Sequence, residues 1–400
     1  MLNYSIDGTI RYSIAGAEIN CPDAYPYYFT DGTTRAPRRV TYDKTKAAAT
    51  HAQCAWLAPQ LFDWPTKEPG KVACGPDYDE IREQALLALA GDARGFMWYS
   101  RYSYGGAFTE HMRHGPRLLL EELLETRDVF LSPTREGTLK ATSTGPDKTL
   151  IAALKRFGGE TLVIAVNTSD REATATFTGA GLPAKMHPNG AAEAIAVVGG
   201  KFTDVLKKFE AKVYYDRAKK FDLAAARKYV YGLEANRRKP GNLAAAPRIL
   251  TFGEIRDIGA KAMPDGWWPR IVASSSQRQY MDLPFTYFLQ DGLVDEWPIV
   301  SYLTWSPQKQ DRAPWVRVEF GAKKRFSKVV LHRCRDGEGR IALKSGRVTA
   351  GGRELAAFGA GGCKVELSFP AVEAESVTVE VGGCDASANC RLLSEVEVYD

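Results

Sequence analysis

The chain has 400 residues, 44% hydrophobic and 25% charged, which is enough apolar surface for two or three packed domains and excludes a wholly disordered chain. No run approaches the roughly 18 apolar residues of a membrane-spanning helix, so no membrane span is expected. The net charge of +5 is local, since residues 1–216 carry 25 Lys and Arg against 26 Asp and Glu, residues 217–248 carry 9 against 2, and residues 249–400 carry 19 against 20; a short basic run without interleaved aromatics reads as a solvated helix or linker and sets nucleic acid aside.

Residues 1–20 lack a basic start and an unbroken apolar core, being interrupted by Asp7, Arg11 and Glu18, so no secretory signal is visible. Ala17 to Cys21 reads as a short buried strand, followed by a helical stretch near Asp43 to Gln53 and a strand over Ala55 to Phe62. Asp77 with Glu80 three residues on forms a capping-box pattern, and Ile81, Ala85, Ala88 and Leu89 recur at helical spacing after it. Gly95 to Tyr99 is the next strand. Pro116 fits a first helical turn, ahead of the apolar face of Leu119, Leu120, Leu123 and Leu124. This βα alternation over residues 1–130 predicts a parallel sheet.

From Thr138 the texture changes. Thr149 to Arg156, Thr161 to Asn167, Glu172 to Thr178, Ala194 to Val198 and Glu210 to Tyr215 are β-rich runs between turn formers, which predicts an antiparallel β-sandwich over 138–216. Residues 217–248 gain Ala and basic residues and close with Lys239-Pro240-Gly241-Asn242, a basic helical linker. Strand candidates return at Trp315 to Phe320, Lys328 to His332, Arg347 to Ala350, Cys363 to Phe369, Ser376 to Val381 and Glu395 to Tyr399, predicting a second sandwich over 249–400. The fold class is therefore multidomain, α/β plus all-β.

Seven cysteines at 21, 54, 74, 334, 363, 384 and 390 include no C-x-x-C pair. Cys384 and Cys390 bracket a polar loop, either as a staple or as buried thiols. His111 and His114 are spaced for one helical face but lack a third ligand, so a solvated pair is expected there and not a metal site. G-x-G-x-x-G, P-loop, G-x-S-x-G and H-E-x-x-H patterns are absent, and no nucleotide cofactor is expected.

The C-terminal series Ala273-Ser274-Ser275-Ser276, Asp291-Gly292, Trp305-Ser306, Pro314 to Gly321, Lys328 to Leu331 and Leu393 to Tyr399 resembles the discoidin family. These are the coagulation factor 5/8 type C, galactose-binding-like domains that serve many bacterial enzymes as carbohydrate-binding modules. The resemblance implies a jelly-roll sandwich and a glycan ligand. It also implies a structural calcium ion held by Asp291 and Glu395, hard oxygen ligands that suit that ion; the alternative is that Asp291 supports a turn and Glu395 faces solvent. Sugar modules stack a pyranose on an exposed ring and fix its hydroxyls with charged groups, and Trp267, Trp268, Trp297 and Tyr302 are the candidates. Trp305 and Trp315 fall on positions that are core in the family.

Asp23-Ala24-Tyr25-Pro26, Trp56 to Phe62, and Tyr78 to Ser100 are similar to the last three βα units of a (β/α)8 glycoside hydrolase, a partial TIM barrel. In that family a D-x-Y-P sequence closes strand six, a Gln-x-Phe sequence closes strand seven, and "GA-x-G" enters strand eight; Asp92-Ala93-Arg94-Gly95 stands at the last position. The resemblance implies Asp23 and Asp63 as candidate catalytic carboxylates, with Glu110 as a subsite residue. Trp98, Tyr99 and Tyr102 would form an aromatic sugar platform, with alternate rings packing inward. A whole barrel takes about 250 residues, and hydrolysis needs two facing carboxyl groups, so the expected protein is a C-terminal fragment of a polysaccharide- or glycoconjugate-degrading hydrolase that binds glycan and lacks a complete catalytic pair. The missing barrel segment is an expected partner, and such modules imply an extracellular or periplasmic location. Two alternatives stand beside it: a non-catalytic carbohydrate-binding or adhesion protein, and an enzyme working with Asp23 and Asp63 alone.

Overall fold

The computed structural model describes residues 2–4, 18–27, 36–62, 75–99, 109–135, 137–237, 239–247, 266–276, 285–292, 294, 304–335, 339–384 and 392–400. They belong to two compact units, Met1–Ser100 with Phe108–Glu234, and Arg101–Ala107 with Ala235–Asp400.

In the first unit β1 (Leu2–Tyr4), β2 (Ile19–Ala24), β3 (Cys54–Pro59) and β4 (Gly95–Phe96) pair in that order, all parallel. Helices α1 (Val40–His51) and α2 (Tyr78–Ala90) make the crossovers and pack on β2 and β3. The small side chains of Ala24, Ala88 and Ala93 let the helix layer approach the sheet around Leu57. Helix α2 begins at the expected box: Asp77 Oδ1 accepts from the Glu80 N–H at 2.9 Å, and Glu80 Oε2 accepts from the Asp77 N–H at 3.1 Å. Helix α3 (Glu110–Leu124) corrects the reading of Pro116. It starts well before the proline, with Thr109 Oγ1 accepting from the Met112 N–H at 3.1 Å, and a Glu234 carboxylate oxygen accepts from the Glu110 N–H at 2.7 Å. These caps hold a turn that the proline alone does not nucleate.

The antiparallel part comprises β5 (Leu139–Ser143), β6 (Leu150–Phe157), β7 (Glu160–Asn167), β8 (Ala173–Gly179), β9 (Lys185–Pro188), β10 (Ile195–Ala196), β11 (Lys201–Leu206) and β12 (Ala211–Tyr215). One sheet runs β10-β9-β12-β7-β6 and the other β11-β8-β5. Leu154, Val163, Ala165, Phe177, Phe202 and Tyr214 fill the space between them. The opposite face of the first sheet is buried too: Ile151, Ala153, Leu162, Ile164, Val166 and Val213 join one cluster with Ile81, Leu86 and Leu89 of α2 and Leu119 and Leu123 of α3. Burial on both faces explains why β7 reads as an unbroken apolar run. The parallel and antiparallel parts share a core.

The segment 217–248 is not a linker along its length. Helix α4 (Leu223–Ala235) buries Leu223, Ala226 and Val230 against Tyr78 and Leu118 of the first unit. Residues 239–247 belong to the second unit, where the Leu243 N–H donates to Val398 O at 2.7 Å and Ala244 enters the core. Of the basic residues of 217–248, Arg227 and Lys228 lie on the helix, and Arg227 Nε bonds Asp79 Oδ1 at 2.8 Å.

The second unit is a β-sandwich built on two long strands. β13 (Arg270–Ala273), β14 (Trp315–Arg333), β17 (Lys364–Cys384), β15 (Leu343–Ala350) and β16 (Arg353–Phe358) pair in that order, and β18 (Leu393–Tyr399) pairs with the second half of β14. What the sequence presents as separate strands are halves of β14 and β17. The register slips between Glu319 and Lys324 and again between Phe326 and Lys328, so the paired strands bend where Gly321 and Pro370 interrupt the alternation. Val316, Val318, Val377 and Val379 from one half thereby share a core with Val329 and Leu331 from the other half of β14 and with Val396 and Val398 of β18. A short 3-10 helix, Phe285–Leu289, adds Leu289 to this core.

In the first unit Arg82 ties the helical layer to the antiparallel sheet. Its guanidinium bonds both oxygens of Glu122 on α3 at 2.7 Å and also reaches Ala211 O at the start of β12, with the pair 1% and 0% exposed. Arg82→Met is expected to destabilise this unit by about 3–5 kcal/mol in urea unfolding, because it strands a buried carboxylate, while adding Glu122→Leu recovers most of the loss. A single-variant loss no larger than that of an exposed pair, about 1 kcal/mol, would refute this role.

Candidate functional site

The C-terminal ends of β2 to β4 gather an acid and three rings. Asp23 lies at the C-terminal end of β2, half-buried, with the Tyr25 hydroxyl near its carboxylate. Burial and then the Asp23 charge push the Tyr25 hydroxyl well above its usual range, and the same two causes lift the Cys21 thiol to about 11. Tyr25 stacks on Tyr99 at 5.5 Å, and Phe62 meets both edge-on at 5.1 and 5.6 Å. Tyr99 is 36% exposed and presents the aromatic surface of this cluster. Trp98, expected on that surface, is instead half-buried on the helix side, packed with Phe96 against the core of α2 and α3. Strand alternation sends neighbouring rings to opposite faces. Asp63 and Tyr102 lie outside the described residues.

The other polar groups around these strand ends are structural. Gln60 is fully buried and clamps two loops, with Oε1 accepting from the Tyr27 N–H at 3.1 Å and Nε2 donating to Tyr27 O and Phe62 O at 2.8 Å. Glu110 is buried at the start of α3, with His114 Nε2 3.2 Å away, which removes it from the surface a subsite needs. His111 and His114 are not a solvated pair: His111 is buried, its Nδ1 accepts from the Tyr78 N–H at 3.3 Å, and its ring meets Tyr231 edge-on at 4.5 Å; His114 packs on Tyr229 at 5.6 Å.

Beside this lies a buried acid cluster that sequence patterning does not show. Arg38 Nη1 bonds Glu83 Oε2 at 2.5 Å and Nη2 bonds Glu80 Oε1 at 2.8 Å, while the Tyr27 hydroxyl donates to Glu83 Oε2 at 3.1 Å. One guanidinium serves two carboxyl groups, and Glu83 Oε1 is buried without a partner. Burial outweighs the Arg38 charge and raises Glu83 to about 7; burial and then Asp77 raise Glu80 to about 7. Arg38 also lies 3.8 Å over the Phe209 ring, in the wall of a charged cavity of about 440 Å³.

In the second unit an open row of side chains crosses the outer face of β13 and β14. Trp268 is 39% exposed, with the Arg270 guanidinium 4.5 Å from its ring centre. Arg270 Nε bonds Glu319 Oε2 at 2.7 Å, and Arg317 Nη2 bonds Glu319 Oε1 at 2.7 Å. Arg317 in turn lies 5.0 Å from the ring of half-buried Trp315. Antiparallel pairing of Arg270 with Glu319, and the alternation of 315, 317 and 319 against core residues 316, 318 and 320, put these groups on one face. Burial raises Glu319, but its bonds to Arg270 and Arg317 outweigh that and hold the carboxyl below the usual range, hence ionised. Trp268 lies on the backbone of Gly321, where a Cβ would come within 2.5 Å of the indole. Next to Trp315, Ser274 and Ser275 donate to Asp311 Oδ2 at 2.6 and 2.5 Å, and Trp305 Nε1 donates to Ser275 O at 2.9 Å.

Trp305 is fully buried, as its position implied, whereas Trp315 is on the open face. Trp267 is half-buried near Tyr287 at 6.5 Å. Trp297 and Tyr302 lie outside the described residues. Asp291 and Glu395 do come together, since the Gly292 N–H donates to Glu395 Oε2 at 3.2 Å. Glu395 does not face solvent: it is 1% exposed, and burial with the charges of Asp291 and Glu397 raises its carboxyl well above the usual range. Glu397 is bonded by His332 Nε2 at 2.6 Å, by Tyr399 at 2.7 Å and by Lys239, which outweigh its burial and lower it to about 2.

No protein-family model and no curated protein matches the chain. Solved structures give partial likenesses. The SpGH29 crystal structure is 18% identical with a TM-score of 0.28; the match covers 45% of this chain and 32% of that one, so this chain spans about a third of it. Chitosan-binding module 1 of the chitosanase/glucanase from Paenibacillus sp. IK-5 is 19% identical over 33% of this chain and 95% of the module, with a TM-score of 0.26. The lectin domain of lectinolysin, complexed with Lewis B antigen, is 24% identical over 33% of this chain and 92% of the domain, with a TM-score of 0.27. These neighbours comprise a glycoside hydrolase and carbohydrate-binding modules.

The acid cluster sets a pH dependence. With Glu83 at about 7 in the folded chain and near its ordinary value when unfolded, the folded state holds the extra proton between those limits, so stability falls as pH rises from about 5 to 7 and then levels. The slope expected from Glu83 is on the order of 1 kcal/mol per pH unit, and Glu83→Gln removes that part while the part from Glu80, also raised to about 7, remains. A profile unchanged by that substitution would show that the carboxyl stays ionised beside Arg38.

Proposed function

We propose that this protein binds glycans, non-catalytically, on the outer face of its C-terminal sandwich. The observation that carries this reading is the row Trp268, Arg270, Glu319, Arg317 and Trp315. Two indole surfaces flank a carboxylate acceptor and two guanidinium donors, all held in place by one another. A sugar ring offers apolar C–H faces ringed by hydroxyls, and such a row meets both demands: the indoles take the C–H surface and the charged groups take the hydroxyls. Because Glu319 engages both arginines, the row keeps one net positive charge instead of two, and we read it as a face for neutral pyranosides before acidic polymers. The ordered series of motifs from Ala273 to Tyr399 supports placing this sandwich with the discoidin-type modules.

For the N-terminal half we propose the last βα units of a (β/α)8 glycoside hydrolase. Parallel order from β1 to β4 with α1 and α2 as crossovers supports this, as does the meeting of Asp23, Tyr25, Phe62 and Tyr99 at the C-terminal strand ends, where barrel active sites lie. In that setting the glycan face raises the local concentration of substrate near a barrel site whose second carboxyl group comes from the remainder of the barrel. Secretion follows from the reading, since such substrates lie outside the cytoplasm.

A glycan array probed with the whole chain, followed by calorimetry on the best ligand, tests the binding. Trp268→Ala is expected to weaken affinity at least about tenfold, near 1.4 kcal/mol, with an unchanged melting temperature, and Arg317→Ala to do the same; Asp23→Asn leaves binding untouched. Undiminished affinity in Trp268→Ala and Arg317→Ala would move the site elsewhere.

A further inference from the structure

The resemblance implies calcium on Asp291 and Glu395, and the side chains around these residues bear on that directly. Calcium takes six to eight oxygens at about 2.3–2.6 Å, from carboxylates and from backbone carbonyls. Here the carboxylate and the carbonyl of Asp291 both face the Arg237 guanidinium: Nη2 lies 3.1 Å from Oδ2, and Nε lies 3.0 Å from the carbonyl oxygen. Arg237 and Asp291 are each 4% exposed. Gly292 presses on Arg237 from the backbone side. It has φ +82°, and a Cβ there would fall 1.9 Å from the Arg237 carbonyl oxygen, so no other residue fits. Of the acids nearby, Glu395 turns one oxygen to the Gly292 N–H, and Glu397 is taken by His332, Tyr399 and Lys239. Among the described residues no group of three or more His, Cys, Asp or Glu side chains is arranged to hold a metal ion. The residues present do not fit the ion.

We propose that Arg237 is the built-in cation of this turn, and that the C-terminal sandwich is locked without calcium. A guanidinium is planar, permanently charged and forked, so two of its donors can serve the side-chain and main-chain oxygens of one residue at once. A divalent ion at the same oxygens would sit in contact with that guanidinium. It would have to expel it, losing both hydrogen bonds and leaving a buried arginine unpaired. The lock joins the end of the 223–237 segment to the Asp291–Gly292 turn, and Gly292 passes it on to Glu395 of β18. It therefore tethers the chain's entry into the sandwich to its last strand, as a bound ion would, with no dependence on ion concentration.

The test is thermal unfolding of the whole chain, followed by tryptophan fluorescence; five of the eight tryptophans (267, 268, 297, 305, 315) lie in the second unit. In EGTA and in millimolar calcium chloride the midpoints are expected to coincide, and equilibrium dialysis with radioactive calcium to retain no stoichiometric ion. A calcium-dependent rise of roughly 3 °C or more, or one ion retained per chain, overturns the proposal. Arg237→Gln is expected to lower the midpoint and Arg237→Lys to recover part of the loss, because charge is restored without the fork. An Arg237→Gln chain that melts with the parent also overturns it. Should that variant fail to fold, the parent's response to calcium decides alone.

Discussion

The first unit depends on a single buried guanidinium. Arg82 of α2 spans the distance between the helical layer and the antiparallel sheet, bonding Glu122 of α3 and the Ala211 carbonyl at the start of β12. Glu122 extends the tie, accepting from Asn189 Nδ2 at 2.7 Å beyond β9. An ion pair at 1% and 0% exposure contributes little over an apolar pair of equal size, but it is intolerant of any arrangement that separates its members. It selects one alignment of two layers whose contact is otherwise aliphatic and non-directional. Lys155 acts likewise at the other edge: from β6 it reaches Asp92 Oδ1 at 3.1 Å and Ser132 O at 2.7 Å.

Asp92 shows how such a tie is bought with local strain. It stands where the hydrolase pattern has glycine, and its φ is +71°, a region that costs a side chain about 1 kcal/mol. An aspartate tolerates it better than most residues, and here the carboxylate also accepts from the Thr134 N–H at 2.8 Å and from Lys46 at 3.3 Å. A glycine would relax the backbone and leave the buried Lys155 ammonium with the Ser132 carbonyl but no carboxylate to balance its charge.

Elements with local causes were legible in the sequence: the Asp77–Glu80 box, the parallel βα order, the apolar run of β7, and the β-rich texture after Thr138 and after Trp315. What was not legible depends on distant partners. The strands β5 and β11 flank β8 at the edges of their sheet, with only alternate side chains covered, so their apolar signal is weak. β14 and β17 each looked like two strands because Gly321 and Pro370 punctuate a chain that bends and continues. The basic stretch 217–248 looked like solvent-exposed linker, since nothing local says that Leu223, Ala226 and Val230 meet Tyr78 and Leu118, or that Arg237 meets Asp291. For the candidate sites, Trp268 was readable as an exposed ring, but its setting was not. Arg270, Glu319 and Arg317 become neighbours only through the register of β13 on β14. Trp98 was misplaced for a simpler reason, since adjacent strand residues take opposite faces and the alternation alone does not say which face is open.

The distribution of charge then separates the two halves by role. Around the parallel strand ends, the described acids Glu80, Glu83 and Glu110 are already bound to Arg38 or lie beside His114. They hold loops and helix starts in place, and Asp23 is the described acid there that faces an aromatic cluster with an exposed ring. On the outer face of the C-terminal sandwich the arrangement is the reverse: Arg270, Arg317 and Glu319 sit at 33%, 38% and 19% side-chain exposure, paired with one another yet open to solvent. A buried pair resists exchange of its bonds, because any partner it loses leaves a desolvated charge behind. An open pair exchanges bonds with water and hydroxyls at little cost. The same residue types therefore lock the interior and leave the β13–β14 face with hydrogen bonds that exchange readily with water, or with the glycan proposed for it.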